Sequence, residues 1–245
     1  RHRHPAGGRR PPAQRGRGQG LSGVFITGTD TGVGKTEVAA GLLAGFKARD
    51  ISAVGMKPVA SGCSPGEDGL QADDAVKLLA AGSVDAPYDE VNPVALADPI
   101  APHIAAGQAG VDVRLGQIRQ AYAALAQRAE RVVVEGVGGW RVPLGPALAV
   151  SDLPNALGIP VVLVVGLRLG CLNHSLLTAE SIRARGVRLL GWIANEVDPD
   201  MRAKDENIAT LAALIDAPTL GVVPRLDLPK PEVVAEYLNL EPLLR

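Results

Sequence analysis

Short apolar runs alternate with amphipathic stretches along most of the chain. Runs that end at glycine, proline or a charged residue predict strands over 24–26, 51–56, 131–136, 160–166, 189–197 and 220–224. Between these runs, apolar residues recur at the spacing of one helix face. That spacing predicts a helix up to residue 48 after the first strand, and further helices over 73–79, 115–129, 175–185, 201–215 and 231–238.

The alternation of strands and helices predicts the α/β class, with a doubly wound, mostly parallel sheet. Two stretches interrupt it. Residues 62–70 are rich in glycine, serine and proline and predict a loop, whereas 91–103 contains three prolines and predicts a loop or a short edge strand. Residues 1–20 show no apolar periodicity, so we expect a disordered basic extension followed by one domain over 21–245.

The charge distribution argues against nucleic acid as a partner. The first twenty residues hold six arginines; without them, 19 basic residues remain against 26 acidic ones, a net charge of −7. A nucleic-acid surface needs a basic face. No apolar run is long enough to span a membrane, and Cys63 and Cys171 match no metal or redox spacing, which favours a reducing cytoplasm.

The stretch from Gly28 to Thr36 reads GTDTGVGKT and lies between the first predicted strand and the first helix. This order is typical of a phosphate-binding loop, in which backbone N–H groups, here around 32–34, hold nucleotide phosphates. Lys35 would reach the β- and γ-phosphates, and the Thr36 hydroxyl would ligate Mg²⁺. The motif therefore predicts ATP or a similar nucleotide as a ligand and a fold of the P-loop NTPase type.

Polar residues follow several of the other strands. Lys57 and Ser61 come after the second strand, and because strand carboxyl ends face the ligand crevice, we expect both near the phosphate loop. Glu135 closes the third strand, the position of a metal-binding acid in nucleotide hydrolases. Asp74 could ligate Mg²⁺, but spacing alone favours an ordinary acid at a helix start. His103 could bind a ligand, although a lone histidine is more often structural.

The turn formed by Gly170, Cys171, Leu172 and Asn173 precedes a predicted helix. A glycine turn before a helix can bind an anion, such as a substrate carboxylate, through backbone N–H groups. It can equally be an ordinary helix cap. The sequence leaves both interpretations open.

Six segments together carry a resemblance to a known family. They are GTDTGVGKT at 28–36, KPVASG at 57–62, PH at 102–103, VEGVGGW at 134–140, VGLRLGCLNH at 165–174 and GWIAN at 191–195. In this order they resemble the dethiobiotin synthetases over nearly all of residues 22–228. The loop has five residues between Gly28 and Gly34, one more than the usual four, which is typical of that family.

The resemblance implies an ATP-dependent cyclo-ligase of biotin biosynthesis. Its substrates would be 7,8-diaminononanoate, CO₂ and Mg-ATP, and its product dethiobiotin. It also implies that Lys35 and Lys57 bracket a carbamate and the γ-phosphate, while Thr31 and Ser61 hydrogen-bond them. The implied Mg²⁺ ligands are Thr36, Asp74 and Glu135, so the resemblance reverses the interpretation of Asp74 that spacing favours.

The resemblance further implies that Asn195 reads the adenine, with the backbone near Pro224, and that 170–173 binds the substrate carboxylate. Family members are typically homodimers. The chain departs from the family pattern at Arg168, where lysine is common, and at Gly32, where some members carry an acid. A tyrosine that a partner subunit contributes to the substrate tail is absent near Asn207.

Two rival interpretations of the phosphate loop fit the rest of the sequence less well. A ParA/MinD-like partitioning ATPase, a nucleotide switch, would carry a signature lysine where Asp30 stands and has no reason to place Lys57 and Ser61 after the second strand. A cobyrinate-type synthetase would need a glutamine-hydrolysing domain, for which the chain is too short.

Overall fold

The computed structural model describes residues 22–66 and 69–244, so the basic extension predicted for residues 1–20 lies outside the described residues. The strands are β1 Gly23–Gly28, β2 Ala53–Met56, β3 Val59–Ser61, β4 Ser64–Gly66, β5 Gly69–Gln71, β6 Val94–Leu96, β7 Arg131–Glu135, β8 Pro143–Gly145, β9 Leu148–Ala149, β10 Val161–Leu167, β11 Leu189–Glu196 and β12 Thr219–Val223. The helices are α1 Lys35–Lys47, α2 Asp73–Ala81, α3 Tyr88–Val91, α4 Pro102–Ala109, α5 Leu115–Arg128, α6 Leu153–Leu157, α7 Cys171–Ala184, α8 Lys204–Leu214, α9 Pro231–Ala235 and α10 Glu241–Leu244.

Six of these strands form one parallel sheet in the order β12-β11-β10-β1-β7-β2. The strand β1 lies inside the sheet, with β7 on one side and β10 on the other. The connection after β1 leads to β2 at one edge of the sheet and the connection after its neighbour β10 leads to β11 on the other side, so a crevice opens between them at the carboxyl ends, where open α/β sheets bind ligands. The predicted doubly wound, mostly parallel sheet is confirmed.

Helices cover both faces of this sheet. On β1, Ile26 packs in a cluster with Leu42 of α1, whereas Phe25 faces the other way and packs in a cluster with Leu125 of α5. All four side chains are fully buried. Burying one large apolar side chain contributes about 1.5–3 kcal/mol, so alternation of apolar residues to both faces holds the sheet between its helices.

The chain between β2 and α5 differs most from its prediction. A helix, α4, begins at Pro102 inside the stretch predicted as a loop or short edge strand, because proline is tolerated at the first helical position, where no N–H is needed. Its neighbour β6 is a short strand that pairs with β3, and the hairpin of β4 and β5 occupies the predicted loop. The helix α7 begins at Cys171, directly after Gly170, and not near 175.

No helix of the described residues has the length and apolar character that crossing a membrane requires. Both cysteines are buried free thiols.

Candidate active site at the carboxyl edge of the sheet

The phosphate loop joins β1 to α1 and includes two glycines with positive φ, Gly32 at 70° and Gly34 at 87°. Asn195, at the end of β11, donates a hydrogen bond from Nδ2 to the Val33 carbonyl at 3.0 Å. A Cβ atom at Gly34 would lie 2.1 Å from that Nδ2, whereas one at Gly32 would meet no atom within 4 Å. Gly34 is therefore required both by its backbone angle and by the close approach of Asn195.

Lys35 is the first residue of α1 and is buried. Its Nζ donates to the Asp30 carbonyl at 3.0 Å, which folds the side chain back over the loop. Burial lowers the pKa of Lys35 to about 8, because the carboxylate of Glu135, which raises it, only partly offsets desolvation and the nearby charge of Lys57. Because nearby carboxylates only partly neutralise the Lys35 ammonium, we expect it to bind a phosphate strongly.

Lys57 is placed by the register of the sheet. Met56 pairs with Val134, so Lys57, which follows β2, lies beside Glu135, which closes β7. Its Nζ lies 2.7 Å from Glu135 Oε1 and 2.6 Å from Asp74 Oδ2. Burial lowers the pKa of Lys57, but the two carboxylates outweigh burial and the net pKa is raised, so this ammonium keeps its proton.

Thr36, Asp74 and Glu135 converge at the start of α1. Thr36 Oγ1 lies 3.0 Å from Asp74 Oδ1 and 2.9 Å from Glu135 Oε1, and its single hydrogen can go to only one of them. Burial raises the pKa of Asp74, but the charge of Lys57 and the hydrogen bonds from Lys57 and Thr36 outweigh burial. The net pKa is lowered, so the carboxylate is ionised. The three residues predicted as metal ligands thus lie together.

These residues fit Mg²⁺, which prefers oxygen ligands and uses one or two carboxylates beside substrate phosphates. Glu135 Oε2 is buried and has no hydrogen-bond partner in the described part of the chain, an orphaned acceptor that a cation would satisfy. The described residues contain no group of three His, Cys, Asp or Glu side chains suited to a metal, so any metal here would need the Thr36 hydroxyl or ligand oxygens as well.

A cleft of about 850 Å³ opens beside these groups. Its lining includes nine of the predicted site residues: Thr31, Gly32, Gly34, Lys35, Thr36, Lys57, Ser61, Asp74 and Glu135. Its apolar lining is Pro99, Ile100, Ala101, Pro102, Val137 and Val142. The cleft therefore has a charged wall around the phosphate loop and an apolar wall from the start of α4 and the loop after β7.

Other predicted residues lie elsewhere. Asn195 contacts the phosphate loop through the Val33 carbonyl, and Pro224 follows β12 and is half-buried. The residues 170–173 form the start of α7, and His103 is exposed on α4. None of these is among the described residues that line the cleft.

The cleft residues that sequence reasoning missed include Glu37 and Lys77, which form an ion pair between α1 and α2. A signal for Lys77 existed in its spacing: it follows Asp74 by one helical turn, so both side chains lie on one face of α2.

Comparison with known proteins places the chain in a family. A family model described as an AAA domain matches residues 22–233. The ATP-dependent dethiobiotin synthetase BioD of Cellvibrio japonicus is 50% identical over 220 residues, which cover 90% of this chain and 96% of that protein. The protein of the same name from Pseudomonas aeruginosa strain LESB58 is 50% identical over 224 residues, covering 91% and 98%.

Solved structures add evidence on the fold alone. The signal recognition particle 54 kDa protein of Aeropyrum pernix, in complex with GDP, superposes with a TM-score of 0.54 at 18% identity, over 96% of this chain and 46% of that one. The MinC:MinD cell division complex of Aquifex aeolicus gives 0.53 at 11% identity, over 86% and 85%. These values support the P-loop NTPase type of fold, and the sequence identities above show that the chain belongs to the dethiobiotin synthetase family.

Proposed function

We propose that the protein is an ATP-dependent ligase that joins CO₂ to 7,8-diaminononanoate and closes the ring of dethiobiotin, with release of ADP and phosphate. The half-identity with named dethiobiotin synthetases over nine tenths of the chain supports this activity. The observation on the molecule that carries the proposal is that Lys57 and Ser61 line the same cleft as the phosphate loop. A nucleotide switch needs the loop but has no use for a second buried lysine facing it.

The proposed chemistry runs in three steps. A substrate amine adds to CO₂ and loses a proton, which gives a carbamate. A carbamate oxygen attacks the γ-phosphorus, the bond to the bridging oxygen breaks, and ADP leaves. The second amine then attacks the carbonyl carbon of this mixed anhydride, phosphate leaves, and loss of a proton completes the cyclic urea. Phosphorylation is needed because an unmodified carboxylate oxygen is a poor leaving group.

The described residues support roles in positioning and charge neutralisation, which dominate phosphoryl transfer. Lys35 and Lys57 would neutralise the γ-phosphate and the carbamate between them, and Thr31 and Ser61 would hydrogen-bond the same groups. Mg²⁺ held by Thr36, Asp74 and Glu135 would neutralise charge on the phosphates.

The ends of the substrates have separate candidate sites. Asn195, with the backbone at Pro224, would recognise adenine, and the N–H groups of 170–173 would bind the carboxylate of the diamine. Arg168 brings that turn next to the phosphate loop through its ion pair with Asp30. The apolar wall suits a methylene chain. We also propose a homodimer, on the strength of the family alone.

The test is dependence of phosphate release on the diamine. The protein is incubated with diaminononanoate, ¹³C-bicarbonate and Mg-ATP, and both phosphate and labelled dethiobiotin are measured, with Lys57→Met as the control for contaminating ATPases. We expect equal amounts of phosphate and product, and none of either without the diamine. Phosphate release that does not depend on the diamine would favour the nucleotide switch and contradict the synthetase assignment.

A further inference from the structure

The ammonium of Lys57 lies against the same oxygens that fit the metal. It contacts Asp74 Oδ2 at 2.6 Å and Glu135 Oε1 at 2.7 Å, and a weaker contact reaches the Gly136 carbonyl at 3.3 Å. Lys57 is 3% exposed and its contact with Glu135 is buried, whereas the side chain of Asp74 is 45% exposed at the cleft. The lysine thus takes the place of a cation between the two carboxylates.

The charges of this cluster are already balanced, although Glu135 Oε2 has no hydrogen-bond partner in the described part of the chain. Two carboxylates, Asp74 and Glu135, face two ammonium groups, Lys57 and Lys35. Glu135 Oε1 already lies within hydrogen-bond distance of both Lys57 and Thr36. A divalent ion bound to these carboxylates would neutralise their negative charge and repel the nearby ammonium of Lys57. Burial strengthens this repulsion, because charges interact more strongly where the dielectric constant is low.

We infer that Lys57 and the divalent metal compete for Asp74 and Glu135, so that metal loading releases the lysine into the cleft. Lys57 then has two functions: without metal it neutralises the carboxylates, and with metal it is free to bind the anionic groups of the substrates. The second half of this inference rests on the proposed function, and the first half does not. Lys57 is in this sense a determinant of metal affinity.

Space for the released side chain lies beside it. A hollow of about 210 Å³ adjoins the cleft and is lined by Lys57, Ser61, Gly62 and Asp74 among others. Because the lysine stem is flexible, we expect Nζ to move from Glu135 into this hollow, which Ser61 also lines. With metal present, release of the lysine does not leave Asp74 and Glu135 as unpaired charges, which would otherwise be the main penalty of breaking the ion pairs.

The first experiment measures Mg²⁺ binding to the ADP complex by calorimetry, at mildly alkaline pH and without diamine or bicarbonate. We compare the wild type with Lys57→Met, which keeps the side-chain length and removes the charge. We expect Mg²⁺ to bind at least about tenfold more tightly to Lys57→Met, because no internal cation has to be displaced. Lys77→Met is the matched control: it removes another cleft lysine, one paired with Glu37, and should leave the affinity within about twofold of the wild type.

Unchanged or weaker Mg²⁺ binding in a folded Lys57→Met protein would overturn the inference. Because loss of the lysine could destabilise the fold, a second measurement uses only the wild type. Reductive methylation of lysines is followed by mass spectrometry in ADP with a chelator and in Mg-ADP. We expect Lys57 to be methylated faster in Mg-ADP and Lys77 at the same rate in both.

Slower or equal methylation of Lys57 in Mg-ADP would contradict its release. Neither experiment includes diamine or CO₂, so both can succeed even if the synthetase reaction is not found. Conversely, a working synthetase with no competition at this site would leave the proposed function intact and reject the inference.

Discussion

Arg168 Nη2 donates a hydrogen bond to Asp30 Oδ2 at 2.6 Å, which ties the turn before α7 to the phosphate loop. The other oxygen of that carboxylate accepts the backbone N–H of Thr31 at 2.7 Å, and the Asp30 carbonyl accepts Lys35 Nζ. One residue therefore sets the positions of the loop, of Lys35 and of the turn that includes Gly170.

Removing the charge of Arg168 should affect catalysis more than stability. The pair is half-exposed, so Arg168→Gln should lower the free energy of unfolding by less than about 1 kcal/mol. We expect kcat/KM to fall by about tenfold, because the loop loses its fixed position against the turn. Steady-state kinetics and urea unfolding measure the two effects. Arg168→Lys should retain most activity, and Arg183→Gln, at the far end of α7, should match the wild type.

The two buried lysines should have separable roles. Lys57→Ala should abolish turnover while retaining most of the affinity for ATP, because we propose that Lys57 acts at the reacting centre and not on the nucleotide. Lys35→Ala should weaken ATP binding by at least about tenfold, since this side chain belongs to the phosphate loop. Fluorescence titration with a labelled ATP analogue, beside turnover assays, measures both. Equal losses of nucleotide affinity in the two variants would contradict this division.

The two glycines of the loop offer a matched comparison. Both have positive φ, so alanine at either should cost about 1–2 kcal/mol of backbone strain. At Gly34 the new Cβ would also collide with Asn195 Nδ2, whereas at Gly32 it would meet open space. We therefore expect Gly34→Ala to lower the free energy of unfolding and the ADP affinity more than Gly32→Ala does. Equal effects would show that Asn195 simply moves aside.

Glu135→Gln should raise the Mg²⁺ concentration needed for half-maximal turnover. If Glu135 ligates the metal as proposed, the amide lacks the charge that attracts it, and we expect a shift of at least about tenfold from the loss of one ionic ligand. A Mg²⁺ titration of the initial rate measures it. The control is Glu37→Gln, which changes a cleft acid paired with Lys77 and should leave the Mg²⁺ requirement near that of the wild type.

Nucleotide affinity in the absence of metal should depend on pH through Lys35. Burial lowers the pKa of this lysine to about 8, and phosphate binds its charged form. Below pH 8 the lysine is protonated in both the free and the bound protein, so affinity is flat. Above pH 8 the free protein loses the proton that the complex retains, and ADP affinity should fall by up to about tenfold per pH unit.

Calorimetry of ADP binding across this range tests the effect, with Lys35→Arg as the control, because arginine does not titrate there. The slope should vanish in the variant. A slope that persists in Lys35→Arg would assign the titration to another group.

The six strands of the central sheet, the phosphate loop and the family could be predicted from the sequence because each has a local signature. The apolar run before Gly28 and the glycine spacing are examples. The position of Asp74 could not be predicted in this way, since an acid at a helix start has an ordinary explanation. Its contact with Lys57 depends on how α2 packs beside β2, which is a long-range relationship.

The apolar wall of the cleft was missed for a similar reason. Three prolines between 91 and 103 are typical of a loop, and a proline that begins a helix, as Pro102 does, has the same local appearance as one that ends a strand. Only the packing of α4 against β8, β3 and β6 separates the two cases.

The interior position of β1 has a consequence for folding during synthesis. Its two neighbours are β7 and β10, which the ribosome makes long after β1 itself. The phosphate loop follows β1 directly, and the Thr29 N–H donates a hydrogen bond to the Val164 carbonyl of β10. A nascent chain that stops before Val161 therefore has the whole phosphate loop in its sequence but lacks β10 and Asn195, which contact that loop. Such a chain should expose apolar strand edges, and nucleotide should protect it only after β10 has emerged.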